Sequence, residues 1–246
     1  LTDNLSDSFA KLNTVFLQLI VMIMSFAPLG VFCLIGKFVI ADGLDIFQDV
    51  VAYVVLLISL LLFHAAFTYS LFLKAIGGLN PYTFFRKMKD VALFAFSTSS
   101  SAATIPVTLR TANQDLGVNQ NVASFVVPVG ATINMDGTAI MQGLATVFIA
   151  QMSGIDLTLF QYVQVVLLAV ATSIGTAAVP SAGTITLIII LQQFNLPLEA
   201  IGIILAVDRV LDMIRTSVNV TGDAAIACIV AKTENQLDEN IFNSKG

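Results

Sequence analysis

The chain has 246 residues, 57 % of them hydrophobic and 11 % charged, with a formal net charge of −5. A soluble domain of this length would carry roughly 25 % charge, so the composition sets a water-soluble fold aside and points to an all-α polytopic membrane protein. There is no basic patch and no Trp, hence no footprint for nucleic acid, and Cys33 and Cys228 lie apart in apolar runs as packing residues.

Leu1 is not preceded by an initiator Met, a basic leader or a cleavage site, so the chain reads as the interior of a longer protein. Residues 14–40 form an apolar run long enough to cross a core of about 30 Å, with Pro28 as a possible kink point, and the first segment is set at 1–45. Asp42, Asp45 and Asp49 make an acidic loop. A second span follows at about 50–74 within segment 46–81, closed by Lys74 and Gly77-Gly78, and then a basic cluster of Arg86, Lys87 and Lys89.

From there the pattern changes. Segment 82–118 holds two apolar stretches, 83–96 and 102–115, each too short to span, around the serine-rich tip 97–101. Segment 119–153 is long enough to span but is interrupted by Asn134-Met135-Asp136-Gly137-Thr138. Segment 154–196 repeats the first pattern, with short halves 158–172 and 184–195 around Ser173–Thr176 and Pro180–Gly183. Two short halves around a small polar tip suggest a re-entrant hairpin. Each pair is followed by a helix carrying Asn and Asp, and such doubling marks an inverted-repeat transporter core with broken helices. With the basic cluster placed in the cytoplasm, Lys11, Lys74, Arg86, Lys87, Lys89, Arg110, Lys232 and Lys245 all fall on that side. Lys37 falls outside with Asp42, Asp45, Asp49, Asp156 and Glu199, as the positive-inside rule expects.

The last long helix, 197–233, precedes a polar tail, 234–246, expected to fray. Asp208, Asp212, Arg215, Asn219 and Asp223 are spaced four, three, four and four along it. At 100° per residue they share an arc of about 80°. Four ionised groups at mid-bilayer would cost about 10 kcal/mol if unpaired, so the stripe must face a polar interior. The guanidinium of Arg215 suits a carboxylate, and Asp212 suits an ammonium; pairing within the helix alone would also account for them. Asn134, Asp136, Asn219 and Asp223 offer hard oxygens that suit Na⁺ better than a soft metal, and the same carboxylates could carry H⁺ instead. His64, alone in an apolar span, reads as a packed neutral imidazole. Serine hydroxyls and free N–H groups at a helix start favour a carboxylate.

TSSSAATIPVT at 98–108, PVGATINMDGT at 128–138, SIGTAAVPSAG at 173–183 and LDMIRTSVNVTGD at 211–223 resemble the glutamate transporter family, the dicarboxylate/amino acid:cation symporters. The resemblance covers essentially the whole chain, from the family's fifth helix to its eighth. It implies substrate contacts at Ser99, Ser101, Thr138, Val179, Gly183, Asp212, Arg215, Thr216 and Asn219, with Asp212 on the amino group and Arg215 on the side-chain carboxylate. It implies sodium ligands in three groups: Gly130, Asn134, Asn219 and Asp223; Thr132, Ser173, Ile174 and Thr176; and Asn134 with Asp136. It further implies an acidic amino acid substrate, a cell-membrane location, a homotrimer, no organic cofactor, and the second hairpin as the outer gate. Many relatives carry a second Arg at the position of Ser99 or Met213; here Arg209 is expected to replace it by pairing with nearby carboxylates. A proton-coupled symporter, an intramembrane aspartyl protease built on Asp136 and Asp212, and a channel or sensor are the other classes considered.

Overall fold

The computed structural model describes residues 46–244 throughout and, before them, scattered positions between 11 and 40. Those scattered positions are nearly all helical and belong to a separate unit covering 1–46. Pro28, Lys37, Asp42, Asp45 and Lys245 lie outside the described residues, so the expectations placed on them are not addressed by the structure.

In the second unit, α1 (Ile46–Phe63) takes Asp49 into its first turn, so this residue is helical and does not extend the acidic loop. A carboxylate there meets the positive end of the helix dipole. α1 continues through a π-helical segment, His64–Tyr69, into α2 (Ser70–Ala75). The resulting run, Phe47–Ala75, is the one described helix long and apolar enough to cross a bilayer.

α3 (Pro81–Thr98) starts with Asn80 accepting from the Tyr82 N–H and Pro81 in its first turn, where a missing N–H costs nothing. Only Ser99 and Ser100 leave the helix before α4 (Ser101–Gln114) begins. The expected tip at 97–101 is therefore narrower, because the hydroxyls of Ser97 and Thr98 bond back to the Phe94 carbonyl and stay helical. α5 (Gln120–Ile133) and α6 (Asp136–Met152) form the broken helix, interrupted at Asn134 and Met135. α7 (Leu159–Ile174) opens with a capping box, the Thr158 hydroxyl on the Gln161 N–H and the Gln161 side chain on the Thr158 N–H. α8 (Ala182–Gln193) completes the second pair, and a 3₁₀ turn at Leu198–Ala200 leads into α9 (Ile201–Thr233). No β-strand occurs among the described residues.

α9 is the axis of the unit and packs against α3, α4, α5, α6 and α8. Its Asp208, Asp212, Arg215, Thr216, Asn219 and Asp223 are all buried. The outward faces of α1, the π segment and α7 are the reverse: Leu62, Phe63, Phe67, Leu159, Phe160 and Leu167 are all exposed. An apolar surface of this extent is suited to lipid and not to water.

The tail does not fray. Past α9 the chain runs back along the outer end of the first helix pair. Asp238 N–H donates to the Gly117 carbonyl (2.8 Å) and Asn119 N–H to the Gln236 carbonyl (3.0 Å), with Val118 bridged to Leu237. A short α10 (Glu239–Asn243) then buries Phe242 completely, while Lys232 pairs with Glu239. Lys87 Nζ donates to the carbonyls of Asp115 and Ile241, each at 2.7 Å. High polarity concealed that one buried aromatic and a row of backbone bonds hold this segment. Gly117 has φ +73°, and a Cβ there would strike the Asp238 carbonyl. Gly117→Ala is therefore expected to cost about 1–2 kcal/mol from the left-handed backbone alone. Limited proteolysis should show faster cleavage after α9 while the rest of the unit survives.

Candidate substrate and cation site

Three chain breaks converge on α9 from different directions: the two helix-pair tips and the interruption between α5 and α6. Together with the stripe they enclose one pocket, lined by Ser99 and Ser101 from the first tip, Met135 and Thr138 from the break, Thr176, Ala177, Ala178, Val179 and Gly183 from the second, and Asp212, Arg215, Thr216 and Asn219 from α9. All nine residues expected to contact substrate thus line a single cavity. The starts of α4, α6 and α8 all reach it, so three positive helix ends face inward, a setting that favours an anion.

Arg215 is the largest fully buried side chain among the described residues. Its Nη2 donates to Asp212 Oδ1 (2.5 Å) and its Nη1 to Asp208 Oδ1 (3.3 Å), which also accepts from the Thr184 hydroxyl (2.7 Å). Asp212 Oδ2 takes the N–H of Ser181 at the second tip (2.9 Å). Pairing within the helix therefore occurs, yet it does not exhaust the site, because Asp212 also ties the second tip to α9. Two carboxylates on one guanidinium leave a net negative charge that a bound ammonium would offset.

Each tip carries one serine in the left-handed region, Ser99 at φ 52° and Ser181 at φ 59°. The strained backbone turns the chain over two residues at the first tip and aims hydroxyl and N–H groups at the pocket. The Ser99 hydroxyl is buried without a partner, a donor directed at the cavity. The tips also touch each other: the Ser100 hydroxyl and the Ala102 N–H both donate to the Ala178 carbonyl, at 2.9 and 3.3 Å. The enclosed space is only about 20 Å³, enough for roughly one water. This volume does not hold a molecule the size of an amino acid.

The expected cation ligands fall unevenly. Asn134 Nδ2 donates to Asp223 Oδ1 (3.1 Å), and the backbone of Gly130 lies so close that a Cβ would be 2.5 Å from the same oxygen. Gly130, Asn134 and Asp223 are thus one cluster. The Asn219 side chain turns elsewhere, accepting from the Gly137 N–H (2.8 Å) and donating to the Thr138 hydroxyl (3.2 Å). In the second group, the hydroxyls of Thr132, Ser173 and Thr176 bond back to the carbonyls of Val129, Val170 and Thr172, and Ile174 is exposed. In the third, Asn134 is engaged by Asp223, and Asp136 is held by two residues of the π segment.

That last contact corrects the reading of His64. Its Nε2 is 3.1 Å from Asp136 Oδ2, so the imidazole is a polar partner of the broken helix and not packing. Tyr69 donates to the same oxygen (3.3 Å) and to the Val218 carbonyl (3.2 Å). The π turn brings both residues to one carboxylate. Arg209 is also corrected: it is exposed and takes part in none of the described ion pairs. Asp136 and Asp212 engage different partners, so the dyad of an aspartyl protease is not formed. Ser100, Tyr69 and Thr184 carry contacts that the sequence motifs do not single out.

The profile of the sodium:dicarboxylate symporter family matches residues 2–233. The chain belongs to this family. Human excitatory amino acid transporter 2 is 43 % identical over 226 residues, which cover 91 % of this chain and 39 % of that protein. An excitatory amino acid transporter of Caenorhabditis elegans is 42 % identical over 224 residues (90 % and 44 %), and mouse excitatory amino acid transporter 3 is 41 % identical over 229 (93 % and 44 %). The chain therefore spans about two fifths of the length of the curated relatives it matches. Membership in the symporter family puts the chain among membrane transporters, the class its composition and motifs indicate.

Proposed function

We propose that the protein is a secondary active symporter whose transport of an acidic amino acid, glutamate or aspartate, is driven by a cation gradient, most simply sodium. The observation that carries this reading is Arg215, a fully buried fork shared between two carboxylates in a pocket walled by both tips. Such a fork reads a carboxylate bidentately, and Asp212 beside it reads an ammonium. A zwitterion with one extra carboxylate matches both.

On this reading the two helix pairs are re-entrant hairpins, and the seven segments from 1–45 to 234–246 correspond to the last scaffold helix, the transport core and its tail. The left-handed serine in each tip supports their relation as inverted repeats. Sidedness agrees as well: Lys87 and Lys232 both contact the tail, while Asp49 shares a groove with Gln151 and Met152 at the far end of α6. The protein would be multi-pass in the cell membrane and would work as a homotrimer.

Transport follows from the charges. An empty core holds carboxylates at Asp136 and Asp223 that resist entry into low dielectric. Cations bound there neutralise them, substrate replaces Ser181 on Asp212, and the second hairpin closes so that the whole unit crosses as an elevator. Partly loaded forms keep an unpaired charge and stay. Reconstituted protein should take up labelled glutamate or aspartate on an inward sodium jump, and a lack of uptake of both would reject the reading. Uptake driven by a pH step without sodium would favour the alternative, a proton-coupled glutamate or dicarboxylate symporter.

A further inference from the structure

Gln142 lies on α6 one turn beyond Thr138, and its side chain is completely buried. A buried amide is tolerated only when its donors and acceptor are used. Here Nε2 donates to the Gly183 carbonyl (3.0 Å) and to the Thr186 hydroxyl (2.7 Å), while Oε1 accepts from the Thr172 hydroxyl (2.8 Å). Thr172 belongs to α7, and Gly183 and Thr186 belong to α8. One amide therefore pins both arms of the second helix pair to α6, beneath the tip. The hydroxyls of Thr176 and Thr186, 3.0 Å apart, close the arms on each other at the same level.

The position of this amide has a consequence for the pocket. Gly183 lines it, and a Cβ on Gly183 would be 2.7 Å from Thr138 Cγ2 and 3.8 Å from Arg215 Cζ. The backbone that Gln142 holds is thus pressed flush against the walls of the site. We propose that Gln142 is a positioning residue, together with Thr172, that seats both arms of the second hairpin on α6 and so fixes the closed position of its tip without touching substrate. The inference rests on the reading of that hairpin as the gate. Each neutral hydrogen bond lost at the seat shifts the open–closed balance by about fivefold.

The test uses the reconstituted protein with Cys33→Ser; labelling is read on a reporter, Ala178→Cys, at the second tip, and uptake is measured without the reporter. Thiol labelling is timed with and without saturating sodium and aspartate. Gln142→Leu and Thr172→Val should speed labelling of the loaded protein about five- to thirtyfold and raise KM for the amino acid by a similar factor, with the maximal uptake rate held within about twofold. Thr172→Ser, which keeps the hydroxyl, should behave as the parent. Where Gln142→Leu fails to fold, the nearly isosteric Thr172→Val decides. If ligand protects the reporter in the parent and both variants label and transport as the parent does, the seat is overturned. If ligand gives the parent no protection, the gate reading itself fails and the seat falls with it.

Discussion

Arg215→Ala is expected to abolish measurable binding of acidic amino acids and to lower stability at the same time. The guanidinium is shared by Asp208 and Asp212, and all three groups are buried. Removing one partner from a buried ionic cluster costs about 3–5 kcal/mol, because the remaining charges stay out of water without compensation. Arg215→Lys keeps the charge but not the planar fork, so it should recover part of the stability and little of the affinity. Arg215→Met combined with Asp208→Asn removes one charge of each sign and should regain stability with no uptake. Thermal unfolding in detergent and isothermal titration with aspartate separate the two effects. Binding by Arg215→Ala within about tenfold of the parent would show that the fork does not read the substrate.

Gly130→Ala is expected to weaken cation binding with little loss of fold. Gly130 lies inside α5, where alanine is intrinsically better by up to about 1 kcal/mol. The new Cβ would stand 2.5 Å from Asp223 Oδ1 and 2.8 Å from its Cγ, so the carboxylate must swing away and release Asn134. A hydrogen bond to a charged group contributes about 1.5–3 kcal/mol, and displacing the carboxylate also removes the hard ligand itself. The apparent sodium affinity should drop at least about tenfold. Amino acid affinity measured at saturating sodium should change far less. A sodium titration of binding checks this; an unchanged sodium midpoint would remove Asp223 from the cation site.

Much of the arrangement was readable because periodicity survives folding. The spacing of Asp208, Asp212, Arg215, Asn219 and Asp223 fixes one face of α9 whatever surrounds it, and that face is buried. The break at Asn134 and Met135 was legible as a polar interruption in an apolar run. What periodicity cannot carry is a partner far along the chain. His64 meets Asp136, 72 residues away, through a π turn that no local pattern announces. Gln142 looks like any polar residue on a helix until α7 and α8 close over it. Arg209 misled by adjacency: one residue beyond Asp208 turns the side chain about 100° and sends it outward. The tail misled by composition, since Phe242 alone supplies a buried anchor that an average over polar neighbours hides.

The moored tail makes the two look-alike helix pairs mechanically unequal. The outer end of the first is stitched to it through Gly117, Asn119 and Lys87, whereas the described backbone bonds at the outer end of the second, around 153–155, close only on the preceding turn of α6. A pull applied evenly to both would be resisted at one outer end and yield at the other. On the proposed reading, two similar helix pairs thereby differ in stiffness through a strap of about ten residues that lies away from the pocket lining.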